Sequence, residues 1–536
     1  MESSYLGTAL AFAACDVRPA LLAIVFVTLV LWRFYVFTIL PWHFPTDPKE
    51  YPYWIPVIGH LRSFYKSSSR LLSDARSYFG ESCEPFALTV PGQKWYVLTK
   101  AEHVAATYKM EHLSYDIFAV EVIRMVGVSE DGIRKAFQEM GHDGGPSKHL
   151  VRLCKEYQLE QLSPRKRLHE LVQCSVELLR RHLAYFGERL QEVEPDLIRI
   201  FMAFETLSWQ AMYQYPSFFM PWKKFLRTPK SQRIDTSWFI SKIEEEMHRR
   251  QIALADSAIF LFQLFWSING NTRKAAFWML SYIVCGDQDL VDAIRAETAP
   301  AMSEPEHNGT VVDVAYLVNQ ETCPRLNSIW GESARLTAFA ASVRFLTHDI
   351  ELGGKTLRNG NRLMMPQRQL HFSTQAFGHT ATLFDPDRFL ADPSLRRNPS
   401  LRPFGGGATM CPGRNLAKQT TLAFVAMLLH SFHLVLYPPD QKLPEPAEGK
   451  PSIGLVDVQN GNDLRVRLCT RKAAYLSFSF PSSTTLSPKT TAPLTGEKLL
   501  CLCTSNPIQQ SLASSIAHNQ AWAAPSTRSL LAPSSL

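Results

Sequence analysis

Residues 404–417, FGGGATMCPGRNLA, place a single cysteine between three glycines and the start of an apolar stretch with helical spacing. Glycine backbone can adopt positive φ and approach a flat ligand without side-chain obstruction. Cys411 lies just before the predicted helix N-terminus, where the helix dipole and nearby N–H groups favour a thiolate, which is an iron ligand. Two rival interpretations are a buried apolar cysteine and a phosphate-binding loop, although the loop would need a Lys-Ser/Thr after the turn.

A second candidate group lies upstream, in NSIWGESARLTAF. Glu332 and Arg335 are three residues apart on a predicted helix and share a face, where a carboxylate and a guanidinium can pair. Downstream, FDPDRF places Arg388 in a turn-rich stretch ahead of Cys411. Three further pairs repeat the Glu-x-x-Arg spacing, and we interpret them as solvated helix faces: Glu121/Arg124, Glu177/Arg180 and Glu246/Arg249.

In their order and spacing, Glu-x-x-Arg, Phe-x-Pro-x-Arg-Phe and Phe-x-x-Gly-x-x-x-Cys-x-Gly resemble the motifs of the cytochromes P450. The resemblance covers roughly residues 45–473. It implies a mainly α fold with small β-sheets, in one large domain with an N-terminal membrane anchor. It also implies a haem whose iron takes Cys411 as its axial thiolate.

The same resemblance implies roles for further residues. Glu332, Arg335 and Arg388 would form the structural triad behind the haem, and Arg344, in VRFLTHDIEL, matches an arginine that pairs with a haem propionate. The remaining cofactor-binding residues are carried over from the cysteine motif: Phe404, Gly407 and Gly413. Removing any triad member would leave a buried unpaired charge.

The sequence departs from the family pattern at the haem. Thr409 stands where most members carry an Arg or His that binds a propionate, and no Trp-x-x-x-Arg occurs between residues 100 and 200. Other donors must therefore hold the second propionate.

The predicted central helix, residues 252–284, would run about 50 Å. Most members place an acid and then a threonine in it, which relay protons. Here Gly270 takes the acid position and Asn271 the threonine position, where the amide can donate to and accept from a bound water or oxygen ligand. Thr272 comes one residue later, turned about 100° round the helix. We take Asn271 and Thr272 as the candidate catalytic residues. The alternative is that Asn269 and Asn271 are core amides at a helix kink.

An Asn at this position, combined with this form of the cysteine motif, resembles the pattern in one branch of the cytochromes P450, the branch that contains sterol 7α- and 12α-hydroxylases and prostacyclin synthase. That branch includes both monooxygenases and an isomerase, so the missing acid bears on the reaction type.

Five segments are predicted along the chain: a short N-terminal segment 1–19, a transmembrane helix 20–40, a proline-rich hinge 41–60, the haem domain 61–473, and a disordered Ser/Thr/Pro/Ala-rich tail 474–536. Arg33, the one charge in the apolar span, can snorkel to the membrane interface beside aromatic neighbours. A cleaved signal peptide is the competing interpretation of the N-terminus.

Charge and cysteine spacing argue against a nucleic-acid-binding protein, a zinc protein and a disulfide-stabilised scaffold. The 536 residues carry a net charge of +7, but no basic run interleaved with aromatics indicates nucleic acid. The ten cysteines lack the spacing of a zinc site or a disulfide scaffold, which favours a reducing compartment.

Together with the apolar N-terminal span, the resemblance implies a single-pass protein of the endoplasmic reticulum membrane with a cytosolic catalytic domain, a monooxygenase that oxidises an apolar steroid, terpenoid or other secondary metabolite. It would use O₂ and electrons from an NADPH-dependent cytochrome P450 reductase, which would dock on the thiolate side near Arg414 and Lys418. Two alternatives stay open: a haem-thiolate isomerase or dehydratase that needs no external electrons, and a non-catalytic haem-binding membrane protein.

Overall fold

The computed structural model describes residues 19–90, 92–142, 145–164, 167–172, 237–303, 311–459, 462–471 and 498–502. Helices form most of this part of the chain. After the N-terminal helix α1 (Pro19–His43) they follow in the order α2 Leu61–Tyr78, α3 Ala101–Thr107, α4 Asp116–Met125, α5 Glu130–Phe137, α6 Leu150–Leu162, α7 Trp238–Arg249, α8 Leu254–Val284, α9 Gln288–Thr298, α10 Val314–Val318, α11 Pro324–Thr337, α12 Gln367–His371, α13 Thr374–Phe377, α14 Arg388–Ala391 and α15 Arg414–Ser431.

The largest apolar cluster surrounds α8, which packs against α11 and α15. The helix begins two residues after the predicted position and ends where expected, at Val284. Its last eight residues, from Phe277 to Val284, are all buried, and Trp278 among them donates its indole N–H to the carbonyl of Val456 (2.8 Å). A helix that is apolar on most of its circumference is stable only inside a protein or a membrane. This core therefore fixes α8 as the central element.

The strands are β1 Lys49–Glu50, β2 Phe86–Val90, β3 Gln93–Val97, β4 Leu113–Ser114, β5 Met140–His142, β6 Gly145–Lys148, β7 Met302–Ser303, β8 Val311–Val312, β9 Ala341–Leu346, β10 Ile350–Leu352, β11 Lys355–Leu357, β12 Arg362–Pro366, β13 Phe432–Leu436, β14 Leu464–Thr470 and β15 Lys498–Leu502. The main sheet has the order β1-β2-β3-β12-β9-β4. The sequence FALTVPGQKWYVLTKAEHV predicts a strand, a Pro91-Gly92 turn, a second strand and a helix that begins near Ala101, and the structure has the hairpin β2–β3 and the start of α3 there. In this sheet β12 pairs antiparallel with β9, the strand that carries Arg344.

The run DLRVRLCT predicts a strand, which is present as β14 and pairs antiparallel with both β13 and β15. The strand β15, Lys498–Leu502, lies inside the predicted disordered tail, so that prediction is wrong for these five residues. The short apolar run KLLCL pairs its backbone with Leu464–Leu468 despite the polar residues on either side. The other residues of 474–536 lie outside the described residues, as does the N-terminal segment apart from Pro19.

Helix α1 is 25 residues long; its most apolar 18-residue window has a mean hydropathy of 2.3, and no residue of that window is buried. By length and composition it could cross a membrane. Arg33 does not extend into solvent: its guanidinium donates to the carbonyl of Tyr53 and lies over the Trp54 ring at 4.3 Å. Within the predicted hinge, β1 pairs in parallel with β2. Part of the hinge is therefore an edge of the main sheet and a contact for α1 rather than a free connector.

Candidate functional site

Three buried charged side chains join α11 to α14. Glu332 accepts from Arg335 through both carboxylate oxygens (Oε1–Nη2 2.7 Å, Oε2–Nε 2.8 Å), and Nε of Arg388 donates to Oε1 at 3.0 Å. Glu332 and Arg335 are completely buried and Arg388 nearly so. The sequence predicts the first pair from helical spacing, and the resemblance supplies Arg388. The contacts are those expected of the triad.

His371, at the end of α12, extends this network. Its carbonyl accepts from Nη1 of Arg335 (2.7 Å), and its Nε2 accepts the backbone N–H of Arg402 (2.9 Å). Burial, assisted by the charge on Arg335, lowers the pKa of the His371 ring to about 3. The ring is therefore neutral in the folded protein and links the triad to the segment that precedes the cysteine loop.

This histidine predicts a pH dependence of stability. Because its folded pKa lies below the unfolded value of about 6.5, the unfolded chain takes up a proton first as the pH falls. The stabilisation that comes from the neutral His371 ring is complete above about pH 6.5, the unfolded pKa. It declines as the pH falls from about 6.5 to 3. We expect His371 to lower the free energy of unfolding by about 2 kcal/mol between pH 8 and pH 5. Denaturant unfolding at several pH values should give a flatter profile for His371→Gln, whereas the exposed His348→Gln should keep the native slope. Parallel profiles for His371→Gln and the native protein would contradict this assignment.

The other Glu-x-x-Arg pairs differ from the prediction of solvated faces. Glu246 is buried and accepts from Arg249 at 2.8 Å. Glu121 accepts from the buried Arg362 (3.0 Å) on β12. Both carboxylates therefore make tertiary or buried contacts. The prediction failed for these two pairs because Glu-x-x-Arg spacing does not say what the helix face packs against. Residues 177 and 180 lie outside the described residues.

The cysteine loop runs from Phe404 to Gly413, directly before α15. Gly405 and Gly407 have φ of +72° and +59°, a region that favours glycine, and the backbone N–H of Cys411 donates to the carbonyl of Phe404 at 3.0 Å. The Phe404 ring stacks on that of Trp330 from α11 (6.4 Å between centroids). A side chain at Gly413 would contact the sulfur, since its Cβ would lie 3.7 Å from Sγ. These contacts present the cysteine at the N-terminus of α15, as predicted.

Cys411 is exposed, and it lines a cavity that is partly open to solvent. Burial raises the pKa of this thiol, while the backbone N–H groups of Gly413 and Arg414 and the charge of Arg414 act in the opposite direction. The groups at the helix N-terminus therefore favour the thiolate, as the sequence predicts, while burial opposes it. A metal bound by Cys411 would favour the thiolate further, because metal coordination deprotonates a thiol.

Arg344, on β9, is a buried cation. Its guanidinium donates to the carbonyl of Val343 (2.7 Å) and to the hydroxyl of Thr409 in the cysteine loop, and it lies over the rings of Tyr108 and Tyr115. Burial lowers the pKa of the Arg344 guanidinium, and no carboxylate pairs with it among the residues that the structure describes. A buried cation of this kind needs an anionic partner. The carboxylate of a haem fits that requirement, so the residues present fit the implied cofactor.

Sequence reasoning missed several groups around Arg344. Arg402 lies over the Tyr108 ring (5.4 Å to its centroid), and its Nε is buried without a hydrogen-bond partner in the described structure. The hydroxyl of Tyr108 contacts that of Ser342 at 3.3 Å. Arg402 thus has a buried donor that could bind a second propionate. Positions 108, 115 and 402 have no shared spacing that would have indicated this grouping from the sequence.

A cavity of about 250 Å³ lies between the cysteine loop and α8. From α8 it is lined by Trp266, Ser267, Gly270, Asn271 and Lys274, which share one helix face, and opposite them by Cys411 and the segments 450–455 and 457. The polar interruption that the sequence shows at residues 267–274 therefore coincides with the part of α8 that faces the cavity.

Asn271 lines the cavity, and its side chain also contacts the backbone of the segment 454–455. Its Oδ1 accepts the backbone N–H of Leu455 at 2.9 Å, and a side chain at Gly454 would overlap its carboxamide. One acceptor site of the amide is thus used by the backbone, and its second lone pair and its N–H groups remain for hydrogen bonding. The hydroxyl of Thr272 donates to the carbonyl of Ile268 in its own helix (2.9 Å), and Thr272 is not among the lining residues. Asn269 likewise donates to Phe265 (2.8 Å). The geometry therefore places Asn271 at the site, but not Thr272.

Comparisons with known proteins find similarity to cytochromes P450. The family model described as cytochrome P450 matches residues 319–462. Over 324 residues the chain is 26% identical to a cytochrome P450 monooxygenase, calL, of Penicillium decumbens, which covers 53% of this chain and 60% of that protein. It is 28% identical over 243 residues to prostacyclin synthase of Bos taurus (42% and 46% covered). It is 26% identical over 248 residues to 7-alpha-hydroxycholest-4-en-3-one 12-alpha-hydroxylase of Oryctolagus cuniculus (43% and 49% covered).

These matches span from about half to 60% of the length of the three relatives named. Among solved structures, retinoic acid bound cyanobacterial CYP120A1 superimposes with a TM-score of 0.52 at 17% identity, covering 77% of this chain and 99% of that one. This likeness confirms the predicted fold, mainly helical with small sheets.

Proposed function

We propose that this chain, which belongs to the cytochrome P450 family, is a membrane-bound haem-thiolate monooxygenase that oxidises an apolar small molecule. The proposal rests above all on Cys411: the loop holds its sulfur at the N-terminus of α15, facing the cavity beneath α8. The family and the fold imply a haem with a cysteine thiolate ligand.

In this proposal Cys411 ligates the haem iron, and Phe404, Gly407 and Gly413 shape the loop around the sulfur. Arg344 would bind one haem carboxylate, with Thr409 beside it in place of the usual Arg or His. The triad of Glu332, Arg335 and Arg388 holds α11 against the segment that leads to the loop. When bound, the haem supplies the chemistry of dioxygen activation.

The overall reaction consumes one O₂, one NADPH and one proton for each substrate C–H bond that becomes C–OH, and it releases water and NADP⁺. On the protein side, Asn271 lines the cavity and would hydrogen-bond a water or oxygen ligand there, and Gly270 adds no side chain to the adjacent space. The one carboxylate that lines the cavity in the described chain is Asp457. Burial by itself would raise the pKa of Asp457, but Lys274 and Lys450 together lower it to about 2, so this group does not deliver protons near neutral pH.

We assign the electrons to a separate NADPH-dependent cytochrome P450 reductase. The docking surface on the thiolate side includes Arg414, but Lys418 is a weaker candidate than its sequence position indicates. Its ammonium donates to the carbonyl of Val318 (3.2 Å), and burial together with Arg396 lowers the pKa of Lys418 to about 8. Helix α1 serves as the single membrane anchor, which would hold the catalytic domain on the cytosolic face of the endoplasmic reticulum.

The test is turnover of the purified, haem-loaded protein against a panel of steroids and terpenoids. We expect an oxygenated product that contains one atom from labelled O₂ and that forms only with both NADPH and reductase. Product that forms without either one would exclude the monooxygenase. Absence of product from every compound, in a protein with full haem content, would favour a non-catalytic haem-binding protein.

One observation favours a second candidate, a haem-thiolate isomerase or dehydratase that acts on a peroxide. Gly270 lines the cavity where most family members have an acid, and Asp457 is held ionised. A reaction without external electrons does not need that proton relay. Conversion of a lipid peroxide in the absence of NADPH and reductase would identify this activity.

A further inference from the structure

The segment that follows β1 presents an apolar surface. Residues 51–59, YPYWIPVIG, contain no charged residue. Four of their side chains are between 44% and 72% exposed: Trp54, Ile55, Val57 and Ile58. Exposed apolar side chains that cluster in this way mark a surface that contacts another molecule or a membrane. Residues 53–58 are called the apolar loop below.

Backbone contacts fix the shape of the apolar loop. Val57 has a φ of +67°, a left-handed conformation that β-branched residues rarely adopt. Its carbonyl accepts the N–H of Gly92, between β2 and β3 (2.7 Å), and the N–H of Gly59 donates to the carbonyl of Ile55 (3.0 Å). A Cβ at Gly59 would lie 2.3 Å from the carbonyl oxygen of Thr89, so the turn requires glycine there. The strained turn leaves the Val57 side chain exposed, so packing inside the protein does not account for it.

The backbone of the apolar loop is suited to a lipid environment, in which each polar group needs a partner inside the protein. Pro56 has no N–H to satisfy. The carbonyl of Tyr53 accepts from the guanidinium of Arg33. The carbonyls of Pro56 and Ile58 accept from the N–H groups of Ile58 (2.7 Å) and Leu61 (3.1 Å), respectively. Five carbonyls of the loop are therefore paired, those of residues 53 and 55–58.

The apolar loop also packs against the second half of α1. The Tyr53 ring contacts two rings of the helix, with centroid distances of 5.6 Å to Trp32 and 5.2 Å to Phe37. The guanidinium of Arg33 lies over the rings of Trp54 (4.3 Å) and Phe37 (5.4 Å). The one charge of the apolar span is thus partnered by the loop, and the two segments meet at the level of residues 32–37.

This contact determines the depth of the loop. In the predicted span 20–40, Arg33 lies seven residues before Leu40, about 10 Å inside the end of the span. If this level lay outside the hydrocarbon, the 14 residues of α1 from Pro19 to Trp32 would supply about 21 Å of helix, less than the roughly 30 Å of a bilayer core. The apolar loop therefore lies at the depth of one leaflet when α1 crosses the membrane.

We propose that the apolar loop inserts into a phospholipid bilayer beside α1, and that Arg33 positions it there. The inference rests on the proposed membrane anchor and adds a second membrane contact, made by the catalytic domain itself. The Tyr53 carbonyl and the Trp54 ring replace water around the guanidinium of Arg33. Two points of attachment fix the orientation of the domain relative to the bilayer, which a single connector would leave free.

The experiment uses the full, haem-loaded chain in phosphatidylcholine vesicles. Ile55→Cys and the control Leu383→Cys replace apolar side chains of similar exposure, 56% and 61%, and both are treated with a water-soluble maleimide. Peptide mass spectrometry measures each site separately from the native cysteines. We expect Ile55→Cys to react at least about tenfold more slowly, because apolar surroundings raise the pKa of a thiol by about one unit or more and exclude the reagent. In denaturant the two rates should be equal.

A second measurement identifies what covers the loop. The photoreactive residue p-benzoylphenylalanine replaces Ile55, and the irradiated protein is analysed for covalent adducts. We expect an adduct with phospholipid. A cross-link to a second copy of the chain, or to another part of the same chain, in place of the lipid adduct would overturn the proposal.

Arg33→Leu tests the positioning role. The substitution keeps α1 apolar, so the protein should still sediment with vesicles and keep its haem. Alkylation of Ile55→Cys in that background should become severalfold faster, since the loop has lost its cationic contact with α1. Thr28→Leu is the matched control, because Thr28 is also a polar residue of α1 but its hydroxyl donates within the helix, to the carbonyl of Ile24 (2.8 Å). Thr28→Leu should leave the slow alkylation unchanged.

Two results would overturn the proposal for a chain that sediments with vesicles: equal alkylation of Ile55→Cys and Leu383→Cys, or unchanged protection of Ile55→Cys by Arg33→Leu. A chain that does not sediment would overturn the membrane anchor and this inference with it. The measurements need no NADPH, reductase or substrate, so their outcome is independent of the monooxygenase reaction.

Discussion

Serine in place of Cys411 is expected to remove the haem-thiolate spectrum and most of the bound haem. The sulfur faces the cavity, and its loop closes through the hydrogen bond from Cys411 N–H to the Phe404 carbonyl, which the substitution leaves intact. A serine hydroxyl has nearly the same size but does not ionise under conditions in which a metal converts a thiol to thiolate. The fold should therefore persist while the ligand is lost.

The measurements are the ratio of haem to protein after purification with haem supplementation, and the spectrum of the reduced, carbon-monoxide-bound protein. Cys469→Ser is the matched control, because Cys469 is a partly buried free cysteine on β14, outside the cavity lining. It should keep full haem content. If Cys411→Ser keeps the native spectrum and haem content, Cys411 is not the ligand and the proposed function falls with it.

Replacing Glu332 with alanine is expected to give a destabilised protein that does not retain haem. The substitution leaves Arg335, which is completely buried, and Arg388, which is nearly so, without their shared carboxylate. Removing one partner of a buried ion pair costs about 3 to 5 kcal/mol, because the remaining charge is uncompensated. That cost is a large part of the stability of a typical protein. The backbone N–H of Asp385 would also lose its contact with Oε1 (3.3 Å).

Denaturant unfolding and haem content after expression measure this effect. Glu130→Ala is the control: Glu130 pairs with Arg124 at 2.6 Å, but on an exposed surface, where ion pairs contribute little. Glu130→Ala should leave both quantities near their native values. Recovery of Glu332→Ala as a stable protein with full haem content would show that the triad does not hold the core together.

Local patterns in the sequence were sufficient for much of the fold. Apolar periodicity located α8 within two residues, and the turn at residues 91–92 located the hairpin β2–β3. Helical spacing was likewise enough to pair Glu332 with Arg335. These features depend on neighbours a few residues apart, where backbone geometry alone decides which side chains meet.

The outcome at Cys411 shows where local reasoning stops. Glycine spacing and the helix N-terminus correctly placed the cysteine, but the balance between dipole and burial set the pKa of its thiol. Burial depends on the cavity formed with α8, more than 130 residues earlier in the chain. No pattern within the cysteine loop contains that information.

The sequence by itself determined the order of the elements, the cysteine at its helix terminus and the family that the motifs resemble. Only the tertiary structure decided which side chains share the cavity: Asn271 rather than Thr272, and Lys450 and Asp457 from a segment with no recognisable motif. The physical reason is separation along the chain. Asp457 contacts Lys274 across 183 residues, and Arg344 reaches Thr409 across 65, so each contact depends on how whole helices and strands pack. Residue spacing determines which helix or strand a segment can form, whereas the packing of distant segments determines which side chains it contacts.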